Sequence, residues 1–275
     1  MFTEPAPAKL NLALHVRQRR EDGYHSLETL FAFVADGDTV ALDDTASGCA
    51  IAGPFAGALD GDGDNLVPRA AARFAETFGI PHGGGITLTK CLPVASGLGG
   101  GSADAAATLR LLARRHGIAL DDPRLFDCAD RLGSDVPACL YSRTALGSGR
   151  GESLTPIAGA AGTPVLLVNP RVAVATAPVF AGWDGQDRGP LPDGDLLTIA
   201  RDGRNDLEAP AKAIAPVIGD VLDLLNSRSG VMVARMSGSG ATCFALFADA
   251  HDRAAAAAAV RRSHPNWWCL ETVLL

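Results

Sequence analysis

The sequence contains no Cys-x-x-Cys pair and no His-x-x-x-His or comparable spacing among its six cysteines and six histidines. Cys49, Cys91, Cys128, Cys139, Cys243 and Cys269 lie far apart, as thiols of a reducing cytoplasm do and as a disulfide framework or a zinc site does not. A metal is expected only in the company of a substrate phosphate. An excess of positive charge is also missing: 24 Lys and Arg stand against 31 Asp and Glu, a net charge of -7, whereas nonspecific binding to a polyanion rests on a basic patch. The short basic run Arg17, Arg19, Arg20 reads as solvated surface. No apolar run approaches the roughly 20 residues that span a bilayer, and Glu4, Lys9 and Asn11 interrupt the N-terminal segment where a secretory signal would need an unbroken apolar core. These absences point to a cytoplasmic protein with neither nucleic acid nor membrane as partner. What is present, 275 residues of which 47% are hydrophobic and 20% charged, suffices for one large or two ordinary globular domains.

Residues 93 to 112, PVASGLGGGSADAAATLRLL, concentrate glycine at Gly97, Gly99, Gly100 and Gly101. Glycine loses the most conformational freedom on folding, so such a cluster marks a special turn or a close approach of a ligand to the main chain. GITLTKCL before it alternates as a half-buried strand does. Ala103, Ala106, Ala107, Leu109 and Leu111 after it fit a helix with Ser102 as N-cap. Strand, glycine loop and helix N-terminus in that order build an anion site, because the first four helical N–H groups have no internal partner and carry the positive end of the helix dipole. It is not a Walker loop, since no Lys-Ser or Lys-Thr follows Gly101, and Ser102 stands where a dinucleotide fingerprint has its last glycine. On this segment alone a linker or a tight structural turn is the competing reading.

Along the chain, LNLALHV, LETLFAFV and DTVAL read as strands. NLVPRAAARFAETFG reads as a helix from Asn65 to Gly79, and a further helix is expected over 122 to 132. The pattern breaks near Ile157 to Pro164, where a domain boundary is expected before a buried strand VLLV. Residues 182 to 194 read as a loop, and DLEAPAKAIAPVIGDVLDLLN as one long helix or two broken at Pro216. VMVARM and CFALF read as strands joined through SGSGAT, followed by an alanine helix near 253 to 263 and a last strand WWCLETVLL. Strands and helices without strict alternation indicate α+β.

Three further segments carry chemistry. Lys9 and Asn11 share one face of a period-two strand, where they could hold a phosphate or polarise a hydroxyl, or simply sit on a solvated edge. In LGSDVPACLY, Gly133 and Ser134 close a helix, Pro137 is expected to begin an extended piece, and Asp135 sits among apolar residues where it could take a proton or serve as an ordinary turn or cap. In MSGSGATCFALF, Gly238 and Gly240 fit a hairpin turn or a nest of N–H groups for an anion.

In order, Lys9 with Asn11, the Pro93-x-x-x-Gly97-Leu98 loop leading into a helix, and Ser237-Gly238-Ser239-Gly240-Ala241 resemble the three motifs of the GHMP kinase superfamily. PAKLNL, DGYHSLETLF, GLGGGSADA and LGSDVP are most similar to the branch acting on 4-diphosphocytidyl-2-C-methyl-D-erythritol. Ala103-Asp104 departs from the Ser-Asn that related enzymes often carry. The resemblance implies a two-domain GHMP kinase fold of the α+β class: an N-terminal, ATP-binding domain like ribosomal protein S5 domain 2 over 1–160 and a ferredoxin-like C-terminal domain over 161–275. It implies ATP-dependent phosphorylation of the 2-hydroxyl of that small-molecule acceptor, on the non-mevalonate route to isoprenoid precursors, by a monomer or weak homodimer. Asp135 is then the general base, and Lys9 the cation that stabilises the nucleophile or keeps the aspartate ionised. Pro93, Val94, Ala95, Ser96, Gly97, Leu98, Gly99, Gly100, Gly101, Ser102 and Ala103 wrap the ATP phosphates, with Ser102 the hydroxyl near Mg²⁺ and Asn65 and Lys90 close to the nucleotide. Asn11 contacts the methylerythritol part. Tyr24 and Phe180 sandwich the cytosine ring, His25 hydrogen-bonds its polar edge, and Thr176 lines the same pocket. A mevalonate or homoserine kinase would keep the loop without DGYHSLETLF, and a nucleic-acid binder is disfavoured by the net charge and by the presence of both Lys9 and Asp135.

Overall fold

A computed structural model of the chain describes residues 2–59, 65–81 and 83–275. Helices and mostly antiparallel strands follow one another without strict alternation, the α+β arrangement expected. The chain gathers into two compact units, neither continuous in sequence: Met1–Ala8, Asp36–Val94 and Gly99–Ser142 form the first, and Lys9–Ala35, Ala95–Leu98 and Arg143–Leu275 the second. Strands β1 (Phe2–Arg19) and β2 (His25–Asp43) run through both. The 160/161 border expected from sequence falls inside the second unit.

In the first unit, the end of β2 pairs antiparallel with β4 (Gly85–Thr89), which pairs parallel with β3 (Cys49–Ala52). Helix α1 (Leu66–Phe78) starts where Asn65 Oδ1 accepts the Val67 N–H at 2.9 Å and stops at Gly79, whose φ of 66° is left-handed. It buries Val67, Ala70, Ala71 and Phe74, an i, i+3, i+4, i+7 stripe. Helix α2 (Gly100–Arg115) is central, with every residue from Ala103 to Ala113 buried. A buried charge needs partners, and Arg110 finds them: it reaches Glu4 at 2.6 Å and the carbonyls of Cys139 and Pro5 at 2.7 Å each. Helix α3 (Pro123–Leu132) is capped by Asp122, with proline at its first turn. The segment after Pro137 is not extended as expected but forms a short helix α4 (Val136–Tyr141); proline near a helix start costs nothing, because its missing N–H would have been unpaired there anyway.

In the second unit, an antiparallel sheet runs β10 (Trp268–Val273), β7 (Pro164–Asn169), β9 (Cys243–Phe247), β8 (Val231–Met236). Helices α8 (Val217–Asn226) and α9 (Ala250–Ser263) pack on it through Ile218, Val221, Leu225, Ala257 and Val260. A helix α7 (Glu208–Ile214) ends before Pro216, so of the two readings left open, one long helix or two, the structure has two. The beginning of β2 pairs antiparallel with β5 (Ala145–Gly149), which pairs with β6 (Ser153–Pro156). Helices α5 (Thr176–Ala181) and α6 (Leu196–Asp202) have no counterpart in the sequence reading; at six and seven residues they are too short for periodicity to register.

Candidate active site

Alternation along β1 brings Lys9 and Asn11 to one face, but that face is not solvated. Each is only 3% exposed, which removes the edge-strand reading of Lys9. Lys9 Nζ donates to Asn11 Oδ1 at 2.8 Å and lies 5.3 Å from the centre of the Phe31 ring. Asn11 Nδ2 donates to Thr29 Oγ1 at 2.8 Å, and Thr29 Oγ1 to the Ala13 carbonyl at 2.7 Å. This relay fixes the Asn11 amide with its oxygen towards the ammonium, so Lys9 is held in one rotamer.

The SGSG turn between β8 and β9 supports the piece of the glycine loop that belongs to the same unit. Ser237 Oγ accepts the Asn11 N–H at 3.2 Å and donates to the Gly97 carbonyl at 2.9 Å. Lys9 N–H donates to the Leu98 carbonyl at 2.9 Å, and Thr242 N–H to that of Ser96 at 3.0 Å. Asn205 Nδ2 holds the carbonyls of Met236 and Gly238 at 2.8 Å each. Gly97 has φ 78°, and a Cβ there would lie 2.8 Å from the Gly240 carbonyl oxygen. The backbone of 95–98 is thus packed against another backbone, which glycine alone permits. Thr176 Oγ1 meets Ser239 Oγ at 3.0 Å, tying α5 to the turn.

A second cluster in this unit is aromatic. The His25 ring lies 5.0 Å from Phe180, tilted by 38°, and 5.7 Å from Trp183, edge-on. Among the described residues, His25 Nε2 and Trp183 Nε1 are buried without a hydrogen-bond partner, and a buried polar atom left in that state is a place where a ligand gains most. Burial, and then the charge of Arg19, holds His25 below the usual histidine pKa. Phe180 packs partly against the core of the unit, whereas Tyr24 is 54% exposed, with the Arg150 guanidinium 5.4 Å from its ring centre. The loop after α5 is strapped down: His15 Nδ1 lies 3.1 Å from the Gly189 carbonyl and His15 Nε2 accepts the Arg204 N–H at 3.1 Å. Arg17 also bonds Asp187 at 2.8 Å, and Leu191 N–H donates to Glu28 at 2.9 Å.

In the first unit, α2 begins earlier than Ser102. Its N-cap is Gly99, left-handed at φ 62°, which provides no side-chain cap. Ser102 lies inside the first turn, so no serine oxygen competes for the leading N–H groups, and they are free of any side-chain cap. The sequence favoured serine as cap by composition; the three-glycine run instead lets the helix start as soon as the backbone leaves the left-handed region. Lys90 does not offer its ammonium to solvent: Nζ is bound by Asp38 and, at 2.8 Å, by Asp104. Asn65 uses its side chain to cap α1. Asp135 occupies the N-cap position of α4 without capping it, so the cap explanation of that aspartate fails.

Residues the sequence reading passed over are Asp38, Thr29, Asn205 and Trp183. Asp38 carried a signal, an acid inside the apolar strand run LFAFVADGDTVAL. Thr29, Asn205 and Trp183 carried none, because their partners lie 16 or more residues away or are ring contacts across the fold.

Residues 65–143 match the family described as GHMP kinases N terminal domain, and residues 191–266 that described as GHMP kinases C terminal. A protein of Rhizorhabdus wittichii named 4-diphosphocytidyl-2-C-methyl-D-erythritol kinase is 56% identical, covering 99% of this chain and 94% of its own length. One of the same name from Novosphingobium aromaticivorans is 52% identical over 97% of this chain and 90% of its own. A crystal structure of a 4-(cytidine 5'-diphospho)-2C-methyl-D-erythritol kinase is similar with a TM-score of 0.82 and 37% identity, over 99% of this chain and 98% of that one. With identity of this order running from end to end, and with the motifs of Lys9, the glycine loop and the SGSG turn joined in the manner described, the chain belongs to the GHMP kinases and, among them, to the 4-diphosphocytidyl-2-C-methyl-D-erythritol kinase family.

Proposed function

We propose that the protein transfers the γ-phosphoryl group of ATP to the 2-hydroxyl of 4-diphosphocytidyl-2-C-methyl-D-erythritol. The observation that carries this reading is the 56% identity, over 99% of the chain, to a relative named for that kinase activity. In the reaction the acceptor oxygen forms a bond to the γ-phosphorus, the bond from that phosphorus to the β–γ bridging oxygen breaks, and the hydroxyl proton leaves. Catalysis of this kind is mostly positioning and electrostatic stabilisation.

The roles we assign follow. Asp135 takes the hydroxyl proton, and Lys9, locked on Asn11, supplies positive charge for the developing alkoxide. Asn11 orients the acceptor. The backbone from Pro93 to Ala103 holds the phosphates, supported by the uncapped start of α2 after Gly99. Mg²⁺ would come with the nucleotide, and the Ser102 hydroxyl in that first turn is a hard oxygen suited to it; the ion's part is to neutralise charge on the phosphates. Lys90 acts beneath the loop and not on the nucleotide directly, since its ammonium is already bound. His25, Phe180 and Tyr24 select the cytosine, with Thr176 beside them. We retain 1–160 and 161–275 as the proposed sequence domains and a monomer or weak homodimer as the proposed state.

An acceptor panel tests the reading: purified protein with ATP should turn over the cytidyl acceptor and neither mevalonate nor homoserine. Turnover of mevalonate or homoserine at a comparable rate would replace this proposal with one of its relatives.

A further inference from the structure

The helix α5 needs ties that its own length does not supply. Thr176–Ala181 is six residues long, and helices that short are not stable by themselves. Its first residue is tied to the SGSG turn, Thr176 to Ser239. Its far end is tied to β1: Arg19 Nη2 donates to the carbonyl of Ala181 at 2.9 Å and to that of Trp183 at 3.1 Å. These carbonyls lie at and just past the helix C-terminus, where the helix has no N–H left to offer and its dipole favours a cation.

Arg19 belongs to the basic run expected to be plain solvated surface, and it differs from its neighbours there. Arg17 is bonded to Asp187 and Glu28, and Arg20 to Asp22. Among the described residues no carboxylate pairs with Arg19; its guanidinium serves the end of α5 instead. The segment it holds carries the walls of the aromatic cluster. Phe180 directly precedes Ala181, and Trp183 is clamped through its own backbone. Their ring centres lie 5.0 Å and 5.7 Å from that of His25. Trp183 is buried in the core of the unit, so a shift of residues 180–183 moves the surroundings of the imidazole with it.

We infer that Arg19 is a positioning residue for base recognition: by holding the end of α5 it sets Phe180 and Trp183 around His25, so that the imidazole keeps one orientation and offers Nε2 to the exocyclic amine of cytosine. The inference rests on the reading of His25 as the base contact. A neutral imidazole has one nitrogen that accepts, and it suits that amine; an imidazolium only donates, and suits the carbonyl that uracil carries in the same place. Arg19 acts on this choice by its charge as well. Burial first, and then Arg19, hold His25 below its ordinary pKa, which keeps the ring neutral. The other charged groups on the elements around it are paired: Glu28 on β2 with Arg17 on β1, Arg150 after β5 with Glu152, and Asp184 after Trp183 with Arg188. Helix α5, Thr-Ala-Pro-Val-Phe-Ala, carries none.

The test compares the whole protein with Arg19→Gln, which keeps an amide donor without the charge, and Arg19→Lys, which keeps the charge without the planar fork. Arg19 is exposed, and both variants should fold with a Tm close to the parent's. Both should raise the KM of the cytidyl acceptor about 3–10-fold, the size of a lost hydrogen bond, with kcat and the KM for ATP near the parent's. Both should also narrow the preference for CDP over UDP, measured by calorimetry at about pH 8. The charge is read separately and without nucleotide, by NMR of the ring nitrogens in ¹⁵N-histidine-labelled protein, with His25→Ala identifying the signal. His25 should titrate below 6.5 in the parent, at nearly the same pH in Arg19→Lys, and at a higher pH in Arg19→Gln. Parent values of KM and of base preference in both variants would overturn the inference. Equal weakening of CDP and UDP would overturn it too, leaving Arg19 a structural tie alone. An unchanged His25 titration in Arg19→Gln would overturn the part given to charge. A parent that binds CDP and UDP alike would instead overturn the reading of His25 itself, whatever the variants do.

Discussion

Ser237 Oγ donates to the carbonyl of Gly97 at 2.9 Å across 140 residues of sequence. The same oxygen accepts the Asn11 N–H, so one hydroxyl fixes both the strand that carries Lys9 and the loop assigned to phosphate. Two glycines of that loop should then respond differently to the same small change. Gly97→Ala puts a methyl group against the Gly240 carbonyl at a positive φ, which should lower Tm by several degrees, the size of a 1–3 kcal/mol backbone strain. Gly101→Ala meets only Leu66 Cδ1, at 3.8 Å, and should fold normally while weakening ATP. Loss of stability in Gly101→Ala, or normal ATP affinity in it, would count against the assigned role of the helix start.

Asp135→Asn should reduce kcat by about 10²–10⁴ with ATP affinity nearly unchanged, the usual worth of a general base. Lys9→Met, chosen because Lys9 is buried and methionine fills similar space, should also act on kcat more than on the KM for ATP. Steady-state kinetics with calorimetry separates these effects, and near-normal turnover in Asp135→Asn would exclude it as the base.

Tyr24→Ala and Phe180→Ala should each raise the KM of the cytidyl acceptor about 10–100-fold, the range of one lost base stack, and weaken a uridine analogue equally. His25→Ala should instead narrow the preference for cytidine over uridine, because an aromatic face is nearly blind to base identity and the unpaired Nε2 is not. An equal loss on both acceptors would move the cytosine away from His25.

His15 predicts an acid limit to stability. Burial, and then the neighbouring Arg204, holds it below the ordinary histidine pKa of 6.5, so the unfolded chain takes up a proton before the folded one does. Stability should fall as pH drops below about 6.5, where the unfolded histidine begins to charge. His15→Gln should flatten the slope of Tm between pH 7 and pH 5. An unchanged slope would show that other groups dominate it.

Most of the long elements were legible in sequence because each announces itself locally. Asn65 and Gly79 bracket α1 as cap and stop, and Pro216 divides α7 from α8. Ser102 misled for the opposite reason: a good cap residue lost its place to a left-handed glycine three positions earlier, a choice of backbone geometry that composition does not display. The chemistry of Lys9, Asn11 and the glycine loop was readable from motif order. Their supports were not, since the hydroxyl of Thr29, the amide of Asn205 and the carboxylate of Asp38 act through partners that only the folded chain brings close.

The bonds that hold residues 95–98 also limit how the gene for this protein can be divided. Ser237, Thr242 and the Asn205-braced turn all lie beyond residue 160. A fragment ending there would encode the complete glycine-rich segment and none of these anchors. The motif is consequently not transplantable as a module: grafted into another scaffold or expressed as half a split protein, it would need its distant hairpin supplied in trans before it could regain its shape.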